Sequence, residues 1–119
     1  MKYNQQQFKS PVLLWSESEF QSHVMTLAKT LGYTQQYHTA DSRRSQAGFP
    51  DLVLIHGKTK KLMFVELKAQ AGRVSPAQES WLNDLRLGGQ VAEVWRPSDW
   101  VSGRILQMLR GGGVSFARA

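Results

Sequence analysis

Apolar and polar positions along this chain change period several times, and each change marks an element. From Ser16 to Gly32, Phe20, Val24, Leu27, Ala28 and Leu31 recur at three- and four-residue spacing. That spacing predicts an amphipathic helix with Ser16 as its N-cap and Gly32 as its stop. "YTQQYHTA" has strand character, and the loop "DSRRSQAGFP" follows it. Two apolar runs come next, Asp51–His56 and Lys61–Lys68, read as strands joined through "GKTK" as a hairpin loop. In "SPAQESWLNDLRLGG", Ser75 is the expected N-cap, Pro76 takes the first helical position, and Trp81, Leu82 and Leu85 form the apolar stripe before a Gly-Gly stop. "QVAEVWR" reads as a further strand, and Ser98 as the cap of a last helix carrying Val101, Ile105, Met108 and Leu109.

The element order is therefore α-β-β-β-α-β-α, an α/β chain with a mixed β-sheet flanked by helices. Its 119 residues suit one domain, expected over residues 11–110, with a flexible arm at 1–10 and a flexible tail at 111–119. Fifteen Lys and Arg against nine Asp and Glu leave a net charge of +6, which favours a polyanionic partner. With no cysteine, disulfides, thiolate metal sites and thiol nucleophiles are excluded. The apolar patch near the start is too short for a signal or a membrane span, so a cytoplasmic protein with no membrane partner is expected.

The hairpin changes the picture most. Antiparallel pairing conserves the sum of the paired residue numbers, so His56 opposite Lys61 also sets Asp51 opposite Glu66. Opposed side chains share a face about 4.5–5.5 Å apart. Lys68, two residues beyond Glu66, shares it too. Like charges so placed repel, unless a cation sits between them. Lys68 is one such cation; a hard divalent ion with oxygen ligands is the better one. On the first helix, at about 100° per residue, Glu17 falls within the arc of Phe20, Val24, Leu27 and Leu31, while Glu19 projects towards water. Taken singly, Glu66 and Lys68 make a salt-bridged strand end, and Asp51 is a turn residue after proline.

Together, Glu17-x-x-x-Gln21, Gly48-Phe49-Pro50-Asp51, Glu66-Leu67-Lys68, Gln78 and "WRPSD" resemble the PD-(D/E)XK nuclease motif in its VRR-NUC branch, in the small standalone form of phages and bacteria. The resemblance spans roughly residues 16–106 and implies a restriction-endonuclease-like core. It implies that Asp51, Glu66 and the Leu67 backbone carbonyl bind Mg²⁺ or Mn²⁺, with Glu17 completing the metal site directly or through water. Lys68 would orient the attacking water or stabilise charge in the transition state. Gln78 is either a member of the active site or the capping-box partner of Ser75. Gln21 is either a supporting partner of Glu17 or a plain surface residue.

Arg43, Arg44 and Arg73 lie in loops at the ends of these strands and are candidates for DNA phosphate contacts. Lys58, Lys60 and Lys61 fall at the opposite end of the hairpin, away from any scissile bond. Trp81 and Trp95 are expected in the core. The implied function is a metal-dependent endonuclease on branched or structured DNA, a Holliday-junction-resolving homodimer acting in a prokaryotic cytoplasm. A flap or 5′-end nuclease and a catalytically silent DNA-binding module are the alternatives.

Overall fold

The computed structural model describes residues 10–39 and 46–111. Arg43 and Arg44, with nearly all of the expected arm and tail, lie outside the described residues. A 3₁₀ turn, Pro11–Leu14, is capped by Ser10, whose Oγ accepts from the Val12 N–H at 3.1 Å. Then come α1 (Glu17–Thr30), β1 (Gln35–His38), β2 (Leu52–Ile55), β3 (Leu62–Leu67), α2 (Pro76–Leu87), β4 (Val91–Trp95), α3 (Pro97–Val101) and α4 (Arg104–Leu109).

One four-stranded sheet runs β1-β2-β3-β4. The first three strands pair antiparallel and β3–β4 pair parallel, with α2 as the crossover between them. The sheet is mixed, as expected. Leu52 pairs with Val65 and Ile55 with Leu62, which is the register predicted from a Gly57–Lys60 loop.

The pleat sorts the side chains into two layers. Leu52, Leu54, Met63, Val65, Leu67 and Trp95 face α1 and α4 and make the core with Phe20, Val24, Ala28, Tyr33, Ile105 and Leu109. On the other face Phe49 meets Phe64 and Trp81, at ring centroid distances of 6.3 and 5.0 Å, under α2. Trp95 is fully buried, whereas Trp81 is only half-buried on this second, thinner layer.

Both long helices open on capping boxes. Ser16 Oγ accepts from the Glu19 N–H at 3.1 Å while Glu19 Oε1 accepts from the Ser16 N–H at 2.9 Å, so Glu19 is a cap rather than a free surface acid. The last helix departs from its expected form. It is two short helices broken at Gly103, whose φ of 85° is left-handed backbone that glycine adopts without strain. It also starts two residues earlier than a Ser98 cap requires. Pro97 takes the first helical position, and Asp99 Oδ2 accepts from the Arg96 N–H at 2.8 Å.

Candidate active site

The chain that delivers Asp51 is shaped by the two residues before Phe49 and Asp51. Gly48 sits at φ 91°, and a Cβ there would come within 2.5 Å of the Ala77 backbone on the first turn of α2. Only glycine lets this loop pass so close to the helix. Pro50 is buried, and its carbonyl accepts from Thr39 Oγ1 at 2.9 Å. By the β2–β3 register Pro50 stands opposite Leu67. Proline has no N–H, so it gives no ladder bond to the Leu67 carbonyl. The Leu67 N–H is taken instead by Asp51 Oδ2, at 2.8 Å.

Glu66 is 1% exposed. Its Oε2 accepts from Gln78 Nε2 at 2.9 Å and lies 3.5 Å from Lys68 Nζ. Its Oε1 is buried and has no partner among the described residues. Burial, then the charge of Asp51, push Glu66 up to about 8, against the smaller opposing pull of the Lys68 ammonium. At neutral pH Glu66 therefore favours its protonated form, and a bound dication would displace that proton. An orphaned carboxylate oxygen, a second carboxylate facing it and a backbone carbonyl released by proline form an all-oxygen donor set. That set fits a hard divalent cation.

Lys68 is buried, and its N–H donates to the Trp95 carbonyl at 3.1 Å, which fixes the strand end carrying its ammonium. Gln78 makes two contacts at once. Its Oε1 accepts from the Ser75 N–H at 2.8 Å as the capping box requires, and its Nε2 reaches Glu66. One amide thus ties the start of α2 to the acidic pair.

Glu17 is not gathered with the acid pair into a group of three among the described residues. Among the described residues no three carboxylate or histidine side chains gather as a metal-holding group. Glu17 is the exposed first residue of α1, and that helix packs on the core face. Asp51 and Glu66 alternate onto the face covered by α2. Gln21, one turn along from Glu17, is half-buried and rides with it.

Arg73 is exposed in the loop between β3 and α2, at the acid-pair end of the sheet. That loop is braced by Gln70, Arg96 and Ser98, of which only Ser98 has a role assigned from sequence, as a helix cap. Gln70 Oε1 accepts from the Ser98 N–H at 2.8 Å, Gln70 Nε2 donates to Ser98 Oγ at 3.1 Å, and Arg96 Nη1 donates to the Gly72 carbonyl at 2.9 Å. The string "WRPSD" was the only trace of this brace in the sequence.

With this geometry in place, a family model for the VRR-NUC domain matches residues 1–98. The chain belongs to the VRR-NUC domain family. Two curated relatives align with it, both described as "Fanconi-associated nuclease 1 homolog". The Schizosaccharomyces pombe protein is 42% identical over 45 residues, covering 38% of this chain and 6% of the relative. The Caenorhabditis elegans protein is 42% identical over 52 residues, covering 44% of this chain and 6% of the relative. The chain thus spans a small fraction of either protein. A solved structure described as "VRR_NUC domain protein" superposes with a TM-score of 0.60 at 23% identity, over 78% of this chain and 87% of that one. That likeness establishes the VRR-NUC fold for the mixed sheet and its helices. Among the described residues no helix is long and apolar enough to cross a membrane.

Proposed function

We propose that this VRR-NUC chain is a divalent-metal-dependent, structure-specific DNA endonuclease that hydrolyses phosphodiester bonds in branched DNA. The observation that carries this reading is the opposed Asp51–Glu66 pair, with one buried Glu66 oxygen left without a partner among the described residues beside the Lys68 ammonium. Asp51, Glu66 and the Leu67 carbonyl would hold Mg²⁺ or Mn²⁺. Bound there, the ion would supply Lewis-acid polarisation of the phosphoryl group and a more acidic water.

The remaining chemistry falls to the chain's own side chains. Hydrolysis forms one bond from a water oxygen to phosphorus and breaks one phosphorus–ester bond, with a water proton passing to the departing oxygen. Lys68 sets a positive charge where negative charge develops on the phosphoryl oxygens. Gln78 holds Glu66 in one orientation, so that its second oxygen stays directed into the site. Arg73, exposed beside the site, suits a flanking phosphate.

A Holliday junction is the preferred substrate in this reading. It offers two symmetric strands, and a two-fold homodimer presents two matched sites. The test is cleavage of four-way junction, flap and linear duplex at equal concentration, with Mn²⁺ or Mg²⁺ and then EDTA, beside Asp51→Ala. Metal-dependent junction cutting that Asp51→Ala abolishes supports the proposal. Preferred flap cutting would move the substrate to DNA ends. Cutting that persists in Asp51→Ala sinks the site assignment, and binding without cutting under either metal makes the chain a silent binder.

A further inference from the structure

The acid-pair end of the sheet is not where the described positive charge is concentrated. At the opposite end three segments meet: the C-terminal end of α1, the β2–β3 turn and the C-terminal end of α4. The Gly57 N–H donates to the Gly32 carbonyl at 2.9 Å, and Lys61 Nζ donates to the Met108 carbonyl at 2.8 Å. Residues 29–33, 56–61 and 108–111 carry Lys29, Lys58, Lys60, Lys61 and Arg110 and no acid. Glu93, on β4, is the acid whose field reaches Lys61, and it is engaged by Arg104. A cavity of about 250 Å³ opens here, with Tyr33, His56, Thr59, Lys61 and Arg110 in its wall.

Helix ends hold three of these cations. Lys29 lies in the last turn of α1, where a cation complements the helix dipole, and Lys61 caps a carbonyl of α4. Lys58, Lys60 and Arg110 are exposed; Lys60 Nζ donates to the Gly57 carbonyl at 2.8 Å within the turn, and Arg110 is the C-cap residue of α4, yet all three remain at the surface. Lys60 is also the one non-glycine residue with positive φ among those described, at 64°. A lysine there costs about 1 kcal/mol that asparagine or glycine would largely avoid. Nor do these cations serve the acid pair. From Lys61 to Glu66 along β3 is about 17 Å at 3.3 Å per residue, roughly twice the Debye length of about 8 Å at physiological salt.

We infer that this basic pole is a second phosphate-backbone site, which grips DNA away from the cut through Lys58, Lys60 and Arg110. It rests on the nucleic-acid substrate of the function proposed above, but it does not need that substrate to be cut. At 3.4 Å per nucleotide along a strand, 17 Å corresponds to about five base pairs. A site so placed lets one small domain hold a duplex arm at two separated points and so sense its direction.

The experiment is DNA binding by the full chain in EDTA, so that no cutting is required. Neutral methylphosphonates are scanned along one arm, and affinity is measured against salt. Wild type is expected to show two maxima of weakened binding, about five base pairs apart. In the triple variant Lys58→Gln/Lys60→Asn/Arg110→Gln the distal maximum disappears and the salt slope falls by about two to three. Asparagine tolerates the conformation at position 60, so the variant keeps its turn; the single exposed change Lys58→Glu checks the same loss. One maximum in wild type, or an unchanged slope in the variant, overturns the inference. So does binding to phosphatidylserine vesicles that depends on these side chains while DNA binding does not. A chain that binds with this pattern yet never cuts leaves the pole standing and removes the endonuclease.

Discussion

The two ends of the β2–β3 ribbon share one register and are finished in opposite ways. At the turn, polar groups find partners within the chain. His56 Nε2 donates to the Leu31 carbonyl at 3.1 Å, and its Nδ1 accepts from the Lys58 and Thr59 N–H groups at 3.0 and 3.1 Å. The ring also meets Tyr33 edge to face at 5.0 Å. At the other end a carboxylate oxygen is buried without a partner among the described residues and two acids face each other. One end locks the ribbon to α1. The other stores unfavourable electrostatics that a cation would relieve. A fold tolerates such a site only where the surrounding register is over-determined.

The largest effect should come from removing the stored charge. Asp51→Asn and Glu66→Gln are expected to lower cleavage by well over about a hundredfold, beyond the 10–100-fold typical of residues that merely support metal ligands. Single-turnover cleavage with Mn²⁺ measures this, and near-wild-type rates in both variants would contradict the two-ended picture.

Next is pH. Glu66 rises from an ordinary 4.5 to about 8 on folding, so between those values the folded chain binds more protons than the unfolded one. Stability is therefore fully present below that window and lost as pH rises through it, by on the order of a few kcal/mol. Urea unfolding of metal-free protein at pH 5 and pH 8 should show the loss, and Glu66→Gln should flatten it. Mn²⁺ at about a hundred times its dissociation constant should return roughly 2.7 kcal/mol at pH 8.

The turn end should answer differently. His56→Ala removes three hydrogen bonds and is expected to cost about 2–3 kcal/mol in urea unfolding. Gln78→Glu sharpens the comparison at the site. It keeps the oxygen that caps α2 but replaces the N–H offered to Glu66 with another acid. Cleavage should fall about 10–100-fold, with less loss of stability than Gln78→Ala, which forfeits the cap at about 1 kcal/mol. Least of all, Lys60→Asn should raise stability by about 0.5–1 kcal/mol by relieving the left-handed lysine. Thermal unfolding reads this, and no gain would mean that the turn carries no strain.

Sequence by itself determined what depends on local chemistry. Ser75 and Pro76 start α2 because a cap and a fixed φ act over one turn. The pairing of Asp51 with Glu66 followed from a four-residue loop, because register propagates along a ribbon without further information. Gly103 was inside the expected last helix because the apolar spacing of Val101, Ile105, Met108 and Leu109 outweighed one glycine on paper; in the fold that glycine breaks it.

Tertiary structure alone decided the rest. Whether Glu17 joins the acids depends on which face of the sheet α1 covers, and helical periodicity carries no such information. Whether Gln78 only caps α2 or also meets Glu66 depends on where Glu66 sits across the crossover, and it makes both contacts. The Gln70–Ser98 and Arg96–Gly72 brace joins residues 28 and 24 apart. Such contacts are set by packing of the whole sheet, since hydrogen bonds of that range have no local signature to read.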